Sequence, residues 1–462
     1  MAPIKLAVIG AGSAVWSIRL IGDLCVTKDL WGSTIVLMDI DRERLSVIYE
    51  LAKRYARETG ADYKFVHSDD RRAALKDADF VINAALAGGH HNYEVQRKVA
   101  EEHGYYRGID AVDHNMVSDY HVFGGYNQFK LFTDILLDME RLCPDAWLIN
   151  IANPLLELCT LGTRISKIKI VGLCHGHLGY RELASALGLD YRRVTFEAPG
   201  LNHCIWLTDF RHDGENAYPL IDEWIEEYSE EYWRSWKPEF WETQMSPAAV
   251  DMYRRYGLFP IGDTTRSGGW KYHYNLETKK KWYGHLGGFD SELGWEAYLS
   301  YLRRRLERLE EIASDPSKSI TEEVPPVLSD ESVVPVINSI HNDKEAIYQV
   351  NVPNNGVIPG IPHNVVVEVP AAVSAKGVRP VQVTPLPKRV MEMVIKMRIF
   401  RMELGLEAFL TGDRDVLIEE LLSDPRTKSL EQAERVLNAI MSLEFNGEMA
   451  KHYRSKGKEL AV

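Results

Sequence analysis

Residues 4 to 16 read IKLAVIGAGSAVW, and the fold of the first half of the chain follows from them. The apolar run Ile4 to Ile9 predicts a buried strand, and the glycines after it predict a tight turn into a helix. Further apolar strands at Thr34 to Met38 and Phe80 to Ala84 alternate with helical patterns such as Arg42 to Glu58. This alternation predicts an α/β fold with βαβ units and a parallel, Rossmann-type sheet.

The glycine-rich turn has features of a dinucleotide site. Gly10 and Gly12, with Ser13 beside them, would let the backbone approach a pyrophosphate at the start of the next helix. Val15 occupies the place of the third glycine of the usual fingerprint. Asp39 closes the second strand, where a carboxylate can accept hydrogen bonds from ribose hydroxyls and repel a 2′-phosphate. The sequence therefore predicts NAD, rather than NADP, as cofactor.

Composition excludes several classes of protein. The chain has 462 residues, of which 45% are hydrophobic and 26% charged, so it can bury a full core and should hold two or three domains. A net charge of −13 argues against a nucleic-acid partner. No apolar run approaches the roughly 18 residues that span a membrane, and we expect no membrane association. Five cysteines in so long a chain indicate a reducing compartment, so we expect a cytoplasmic protein.

Polar residues follow a later apolar run, IKIVGL, which predicts another strand. The stretch LCHGHLGY at 173–180 holds Cys174, His175 and His177. This stretch allows three interpretations: a metal site, a catalytic cysteine or an inert strand end. Neighbouring strand residues point to opposite faces, which disfavours a Cys174–His175 nucleophile pair. Zinc is possible, but without a second close-spaced pair a four-ligand cage is disfavoured.

Motifs along nearly the whole chain together resemble glycoside hydrolase family 4, the NAD- and divalent-metal-dependent glycosidases. They are GAGS at 10–13, NP at 153–154, CH at 174–175, GLNH at 200–203 and NVPNNGVIPGIPHNVVVEVP at 351–370. The resemblance implies a lactate/malate-dehydrogenase-like fold. We expect an NAD-binding Rossmann-like domain over 1–198, and an α+β domain for substrate, metal and oligomerisation over 199–462.

The resemblance also implies which residues hold the cofactors. Cys174 and His203 match the family's metal ligands, with Mn²⁺ the favoured ion. Asn153 matches an asparagine that lies beside the nicotinamide and contacts substrate hydroxyls. Two protein ligands would leave open positions for substrate oxygens, as catalytic metal sites require.

The implied reaction is oxidation at C3 of the sugar, elimination of the aglycone, water addition and re-reduction. Asp119 resembles the general acid that assists the leaving group. Asp263 falls where the branch acting on non-phosphorylated sugars places its base, whereas the phospho-sugar branch uses a tyrosine in that region, which makes Tyr256 a competing candidate. Both stay candidates for the base.

The residues after the cysteine suggest the substrate. Cys-His-Gly-His is similar to family members that cleave terminal uronic acids, and His175, His177 and Arg266 are candidate substrate contacts. We expect a glycosidase acting on small oligosaccharides with terminal α-linked galacturonic or glucuronic acid. The alternatives are a neutral α-galactosidase or α-glucosidase, a 2-hydroxy-acid dehydrogenase and a catalytically inactive NAD-binding sensor.

The family is usually dimeric or tetrameric, so we expect a homodimer or homotetramer. An apolar stripe from Lys388 to Leu410 predicts a helix that buries one face, either in a subunit contact or in the chain's own core.

Overall fold

The computed structural model describes residues 2–109, 125–267 and 270–453. Its N-terminal part contains six parallel strands in the order β3-β2-β1-β4-β5-β6, which is the order of a dinucleotide-binding sheet. The strands are β1 (Lys5–Ile9), β2 (Thr34–Met38), β3 (Lys64–Ser68), β4 (Phe80–Asn83), β5 (Trp147–Asn150) and β6 (Lys169–Gly172). The helices between them are α1 (Trp16–Val26), α2 (Arg42–Thr59), α3 (Arg71–Leu75), α4 (Gly89–Glu102), α5 (Tyr126–Leu142) and α6 (Leu155–Ile165).

The later strands extend the same sheet. They are β7 (Val194–Glu197), β8 (Gly200–Leu201), β9 (Cys204–Leu207), β10 (Asp209–His212), β11 (Glu215–Asn216), β12 (Phe259–Ile261), β13 (Ala346–Pro353), β14 (Val366–Ser374) and β15 (Gly377–Pro380). Strand β13 pairs antiparallel with β6, and β14, β8, β9 and β12 follow in that order, with β15 beside β14. Among the described residues this makes one sheet of twelve strands, and β7, β10 and β11 form a second.

Helices of the second half complete the fold. They are α7 (Tyr180–Ala186), α8 (Tyr218–Glu227), α9 (Ser229–Ser235), α10 (Pro247–Tyr256), α11 (Trp270–His273), α12 (Leu276–Tyr283), α13 (Glu292–Ser314), α14 (Ile320–Glu323), α15 (Val333–Asn342), α16 (Lys388–Val390), α17 (Lys396–Thr411), α18 (Arg414–Leu422), α19 (Leu430–Met441) and α20 (Gly447–His452). Short 3₁₀ segments at Gly176–Gly179 and Gly262–Arg266 flank the candidate site described below.

Local chemistry explains where these elements start and stop. Every residue of β1 after Lys5 is buried, as expected for a central strand of a parallel sheet. Helix α2 is capped at its N-terminus by Asp41, whose side chain accepts a hydrogen bond from the Arg44 N–H, and at its C-terminus by Gly60, with φ of 70°.

The predicted fold class, a Rossmann-type sheet followed by α+β elements, is confirmed. The strands and the helix predicted in the N-terminal half are present, with ends shifted by at most one residue. The helix predicted from Lys388 runs to Thr411 through a π-helical turn at Met391–Ile395, and it buries the predicted stripe. Whether its exposed face contacts another subunit stays a prediction. No described helix combines the length and apolar content that crossing a bilayer requires.

Candidate functional site

The turn after β1 is shaped for close backbone approach. Gly10 has φ of +89°, and a Cβ on it would lie 2.7 Å from the Cα of Ala85, so only glycine fits there. The Gly12 N–H donates to Asp39 Oδ2 at 2.7 Å, which ties the turn to the end of β2. Ser13 Oγ accepts a hydrogen bond from the Trp16 N–H at the start of α1. The sequence-predicted residues of this turn therefore lie together.

Asn153 lies between β5 and α6, at the edge of the sheet where the carboxyl ends of the parallel strands meet. It is half-buried and precedes Pro154 through a cis peptide bond. In a sheet of this order, ligands bind outside the carboxyl ends of the strands, which is where Asn153 and Asp39 both lie.

A second group of side chains forms a cluster with metal-type donors. One ligand atom each from Cys174, His203 and Asp263 lies within 4.8 Å of the other two. Metal–ligand bonds of about 2.0–2.3 Å allow ligand atoms at such separations. Nitrogen and carboxylate oxygen suit Mn²⁺, and the thiolate is the atypical member of the set. The two predicted ligands are thus adjacent, and Asp263 is a third candidate.

Three different segments bring these residues together. Cys174 follows β6 by two residues, and Asp263 lies in the 3₁₀ segment after β12. His203 is 8% exposed and occupies a two-residue turn between β8 and β9, with φ of +57°. A non-glycine residue in the left-handed region carries backbone strain, which is often found at functional sites. Ser267 Oγ donates to the His203 carbonyl at 3.2 Å and helps to hold the turn.

Glycines allow the cysteine-bearing loop to contact the Asp263 segment. A Cβ on Gly262, where φ is +60°, would overlap the carbonyl of Gly176. A Cβ on Gly179 would lie 2.7 Å from the Gly262 nitrogen. Gln244 Oε1 accepts from the Gly262 N–H at 2.7 Å, and its Nε2 donates to the Pro260 carbonyl at the same distance.

Charges around Asp263 keep it ionised. Burial by itself raises its pKa, but Arg266 and His203 outweigh that effect and hold the pKa well below its usual range. Arg266 Nη2 donates to Asp263 Oδ1 at 2.5 Å, and Nη1 donates to Asp290 Oδ2 at 2.9 Å. Asp263 Oδ2 is 3.2 Å from His203 Nε2. Arg266, predicted as a substrate contact, is therefore bound by two carboxylates.

The two other histidines of the loop differ in environment. His175 is exposed, and its Nδ1 is 3.3 Å from Glu331 Oε1, whose hydrogen bond raises the pKa of the imidazole. His177 is half-buried and stacks on Phe196 with centroids 6.3 Å apart. Its Nδ1 is buried and makes no hydrogen bond of normal geometry, although the Cys174 backbone is close enough to the ring to influence the pKa of the imidazole.

Cys174 and His175 were predicted to end a strand, and this prediction is wrong. Strand β6 ends at Gly172, so neither residue belongs to a strand. Their contacts nevertheless differ, since Cys174 faces the His203 cluster and His175 faces Glu331.

Tyr256, one of the candidate catalytic residues, is not among the three clustered residues. Tyr256 ends α10 and packs edge-on against Trp206, with ring centroids 5.2 Å apart. Asp119 lies outside the described residues.

Sequence reasoning missed several residues that touch the site. Glu331 pairs with His175, and Asp290 pairs with Arg266. Asp290 follows the Gly-Gly-Phe stretch at 287–289, whose glycines indicate a turn that could have drawn attention to it. Nothing in the sequence around Glu331 indicates that it lies at the site. Glu368, discussed below, was visible only as part of the VVEV strand.

The described chain thus combines a dinucleotide-type sheet with a cysteine–histidine–aspartate cluster of metal-type donors. Residues 5–189 match the family model Family 4 glycosyl hydrolase, and residues 198–427 match Family 4 glycosyl hydrolase C-terminal domain. The chain therefore belongs to glycoside hydrolase family 4 and is a glycoside hydrolase, as the motifs predicted.

Similar proteins of known name support the same family. The chain is 26% identical over 428 residues to an alpha-galactosidase of Bacillus subtilis (strain 168), covering 92% of this chain and 94% of the relative. It is 27% identical over 459 residues to an alpha-galacturonidase of Thermoanaerobacterium saccharolyticum, covering 95% of each chain.

Solved structures share the fold. The protein lplD from Bacillus subtilis superposes with a TM-score of 0.79 at 24% identity, covering 95% of this chain and 100% of that chain. A 6-phospho-alpha-glucosidase from gut microorganisms, in complex with NAD and Mn²⁺, gives a TM-score of 0.77 at 19% identity, covering 98% and 100%. At these identities the likeness concerns the fold alone.

Proposed function

We propose that this enzyme releases terminal α-linked uronic acids, galacturonic or glucuronic, from short oligosaccharides, using NAD and a divalent cation with Mn²⁺ favoured. When bound, these groups supply reversible hydride transfer at C3 of the sugar and Lewis-acid stabilisation of negative charge at the C2 and C3 oxygens. The relatives named alpha-galacturonidase and the complex with NAD and Mn²⁺ support this assignment.

The residues present fit both groups. The turn at Gly10 has no room for a Cβ, and the Asp39 carboxylate terminates β2 where a ribose would lie. Cys174, His203 and Asp263 present sulfur, nitrogen and oxygen donors within 4.8 Å of one another. Asn153, at the edge between them in the fold, is the proposed contact to the nicotinamide and the substrate hydroxyls.

The observation that carries the substrate proposal is the Cys-His-Gly-His loop. His177 Nδ1 makes no hydrogen bond of normal geometry within the described chain, and in the Nδ1-protonated form it can donate to a carboxylate. Arg266, the other candidate donor, uses both Nη atoms on Asp263 and Asp290. His177 is therefore the preferred contact for the substrate carboxylate, with the exposed His175 beside it.

For the base at C2 we favour Asp263 over Tyr256. Asp263 shares the cluster with His203, whereas the ring contact of Tyr256 is with Trp206. Arg266 donates to Oδ1 of Asp263, which leaves Oδ2 as the oxygen that could act as the base or bind the metal. Oδ2 cannot take both roles at the same time. Asp119 is proposed as the general acid on the strength of the motif alone.

A panel of substrates tests the proposal. Enzyme supplied with NAD⁺, Mn²⁺ and a thiol is incubated with α-linked digalacturonate, an α-glucuronide and p-nitrophenyl α-galactoside. We expect cleavage of at least one uronide, abolished by chelator and restored by Mn²⁺, with no net NADH. Cleavage of the neutral galactoside alone would indicate an alpha-galactosidase activity instead. Stoichiometric NADH would indicate a dehydrogenase.

The matched variant is His177→Phe. The phenyl ring can keep the stack on Phe196 but has no hydrogen-bond donor, so we expect a higher KM for the uronide. Unchanged KM would remove His177 from the carboxylate site.

A further inference from the structure

A buried glutamate lies in the sheet between the two segments that carry the candidate metal ligands. Glu368 is 1% exposed and sits in β14. On one side it is paired with Asn351 of β13, which in turn faces Gly172, two residues before Cys174. On the other side it pairs with Gly200 of β8, three residues before His203. Glu368 thus occupies the middle of the row that joins the two ligand segments.

The contacts of Glu368 lead to the His203 turn. Asn202 Nδ2 donates to Glu368 Oε2 at 3.0 Å, and Asn202 is the residue before His203. Asn351 Nδ2 donates to the same oxygen at 3.3 Å. His203 has φ of +57°, a conformation that persists only when its surroundings hold it. The bond from Asn202 is such a restraint, because it anchors the turn to the sheet.

The network is incompletely satisfied. Glu368 Oε1 and Asn351 Oδ1 are both buried without a hydrogen-bond partner. Burial raises the pKa of Glu368, while the Asn202 hydrogen bond and nearby His203 lower it, so the carboxyl group lies within electrostatic reach of the cluster. A buried acceptor without a partner is costly, so stability alone does not account for a glutamate at this position.

We propose that Glu368 is a positioning residue: through Asn202 it fixes His203 relative to Cys174 and Asp263, and thereby sets the affinity for the divalent cation. This inference rests on the proposed metal role of Cys174 and His203. Partners of this kind, which hold a ligand without touching the metal, typically change metal affinity by about 10- to 100-fold when removed.

The test measures Mn²⁺ binding directly, by electron paramagnetic resonance of free Mn²⁺ in titrations of the metal-free enzyme with NAD⁺ present. Glu368→Leu and Asn202→Ala should each raise the Mn²⁺ dissociation constant about 10- to 100-fold. The double variant should be no worse than the poorer single variant, because both remove the same bond. Glu368→Gln should restore near-normal affinity, since its amide oxygen still accepts from Asn202. At saturating Mn²⁺, kcat should return toward that of the wild type.

Glu420→Leu is the matched control. Glu420 is also 1% exposed, but it lies in α18 beside Gly405 of α17 and not in the row of strands that joins the two ligand segments. We expect a lower melting temperature and an unchanged Mn²⁺ dissociation constant.

Unchanged Mn²⁺ affinity in folded Glu368→Leu, or additive effects in the double variant, would overturn the positioning role. If Glu368→Leu fails to fold, the Mn²⁺ dissociation constants of Asn202→Ala and Glu368→Gln are compared instead. Equal constants in these two variants would overturn the positioning role. Failure of the wild type to bind Mn²⁺ would instead refute the proposed metal site, so the two failures are distinguishable.

Discussion

At the scale of single residues, charges and hydrogen bonds orient the side chains of this site. Asp263 accepts from Arg266, which also binds Asp290 and lies 5.1 Å from the centre of the Phe289 ring. Asp39 is held in the same manner, since its two oxygens accept from the N–H groups of Gly12 and Asp41. Because both oxygens are held, the Asp39 carboxylate cannot rotate away from the negatively charged 2′-phosphate of NADP⁺.

This geometry predicts cofactor selectivity. Asp39→Asn keeps an oxygen that can accept from Gly12 but removes the charge that would repel a 2′-phosphate. The ratio of the NADP⁺ to the NAD⁺ dissociation constant, measured by calorimetric titration, should fall about tenfold or more relative to the wild type. Asp41→Asn is the control, because it also removes one charge, while asparagine caps α2 about as well as aspartate; the ratio should stay near that of the wild type. An unaltered ratio in Asp39→Asn would contradict the role assigned to Asp39.

At the scale of elements, the site depends on two loops that meet without room for a side chain. The loop after β6 and the 3₁₀ segment after β12 are in contact at Gly176 and Gly262. Their contact sets the spacing between Cys174 and Asp263, because each residue lies within two positions of a contacting glycine.

Gly262→Ala should therefore weaken metal binding. Its Cβ would overlap the Gly176 carbonyl, so the loops must separate, and we expect the Mn²⁺ dissociation constant to rise about tenfold or more. Gly257→Ala is the control: φ is +79° there too, but nothing lies within 4 Å of the added Cβ. Both changes should cost about 1–2 kcal/mol of left-handed strain. Equal Mn²⁺ affinity in the two variants would show that the loop contact does not matter.

Elements and their order were predictable, but contacts between distant elements were not. The ends of β2 and β6 follow from apolar runs, so Asp39 and Cys174 could be placed at an edge of the sheet from local pattern. The glycines before Asp290 indicate a turn but do not identify Arg266 as its partner. The Asn202–Glu368 bond, which joins residues 166 positions apart, leaves no local signal. Since these partners could not be predicted, Arg266 was expected to contact substrate, although its Nη atoms are bound by Asp263 and Asp290.

At the scale of the whole molecule, the described chain has a core that crosses the predicted domain boundary. One cluster of buried apolar residues includes Leu6 of β1, Val350 of β13 and Leu437 of α19. The backbone is joined in the same way, because β13 pairs with β6. Ser329 also donates to Asp23 of α1 from both its N–H and its Oγ at 2.6 Å. The boundary at 198/199 therefore separates sequence regions that share a core.

A shared core predicts cooperative unfolding. Calorimetry of the full chain should show one transition, which NAD⁺ and Mn²⁺ each move to higher temperature, because a ligand stabilises the whole unit that unfolds with its site. A fragment of residues 1–198 would leave β6 as an exposed edge and would lack the buried apolar side chains that β13 and β14 contribute to the shared core, so it should aggregate and fail to bind NAD⁺. The contrary outcome is two transitions, of which NAD⁺ shifts only one, and a soluble fragment that binds NAD⁺. This would show that the two halves are independent domains that meet only at the site.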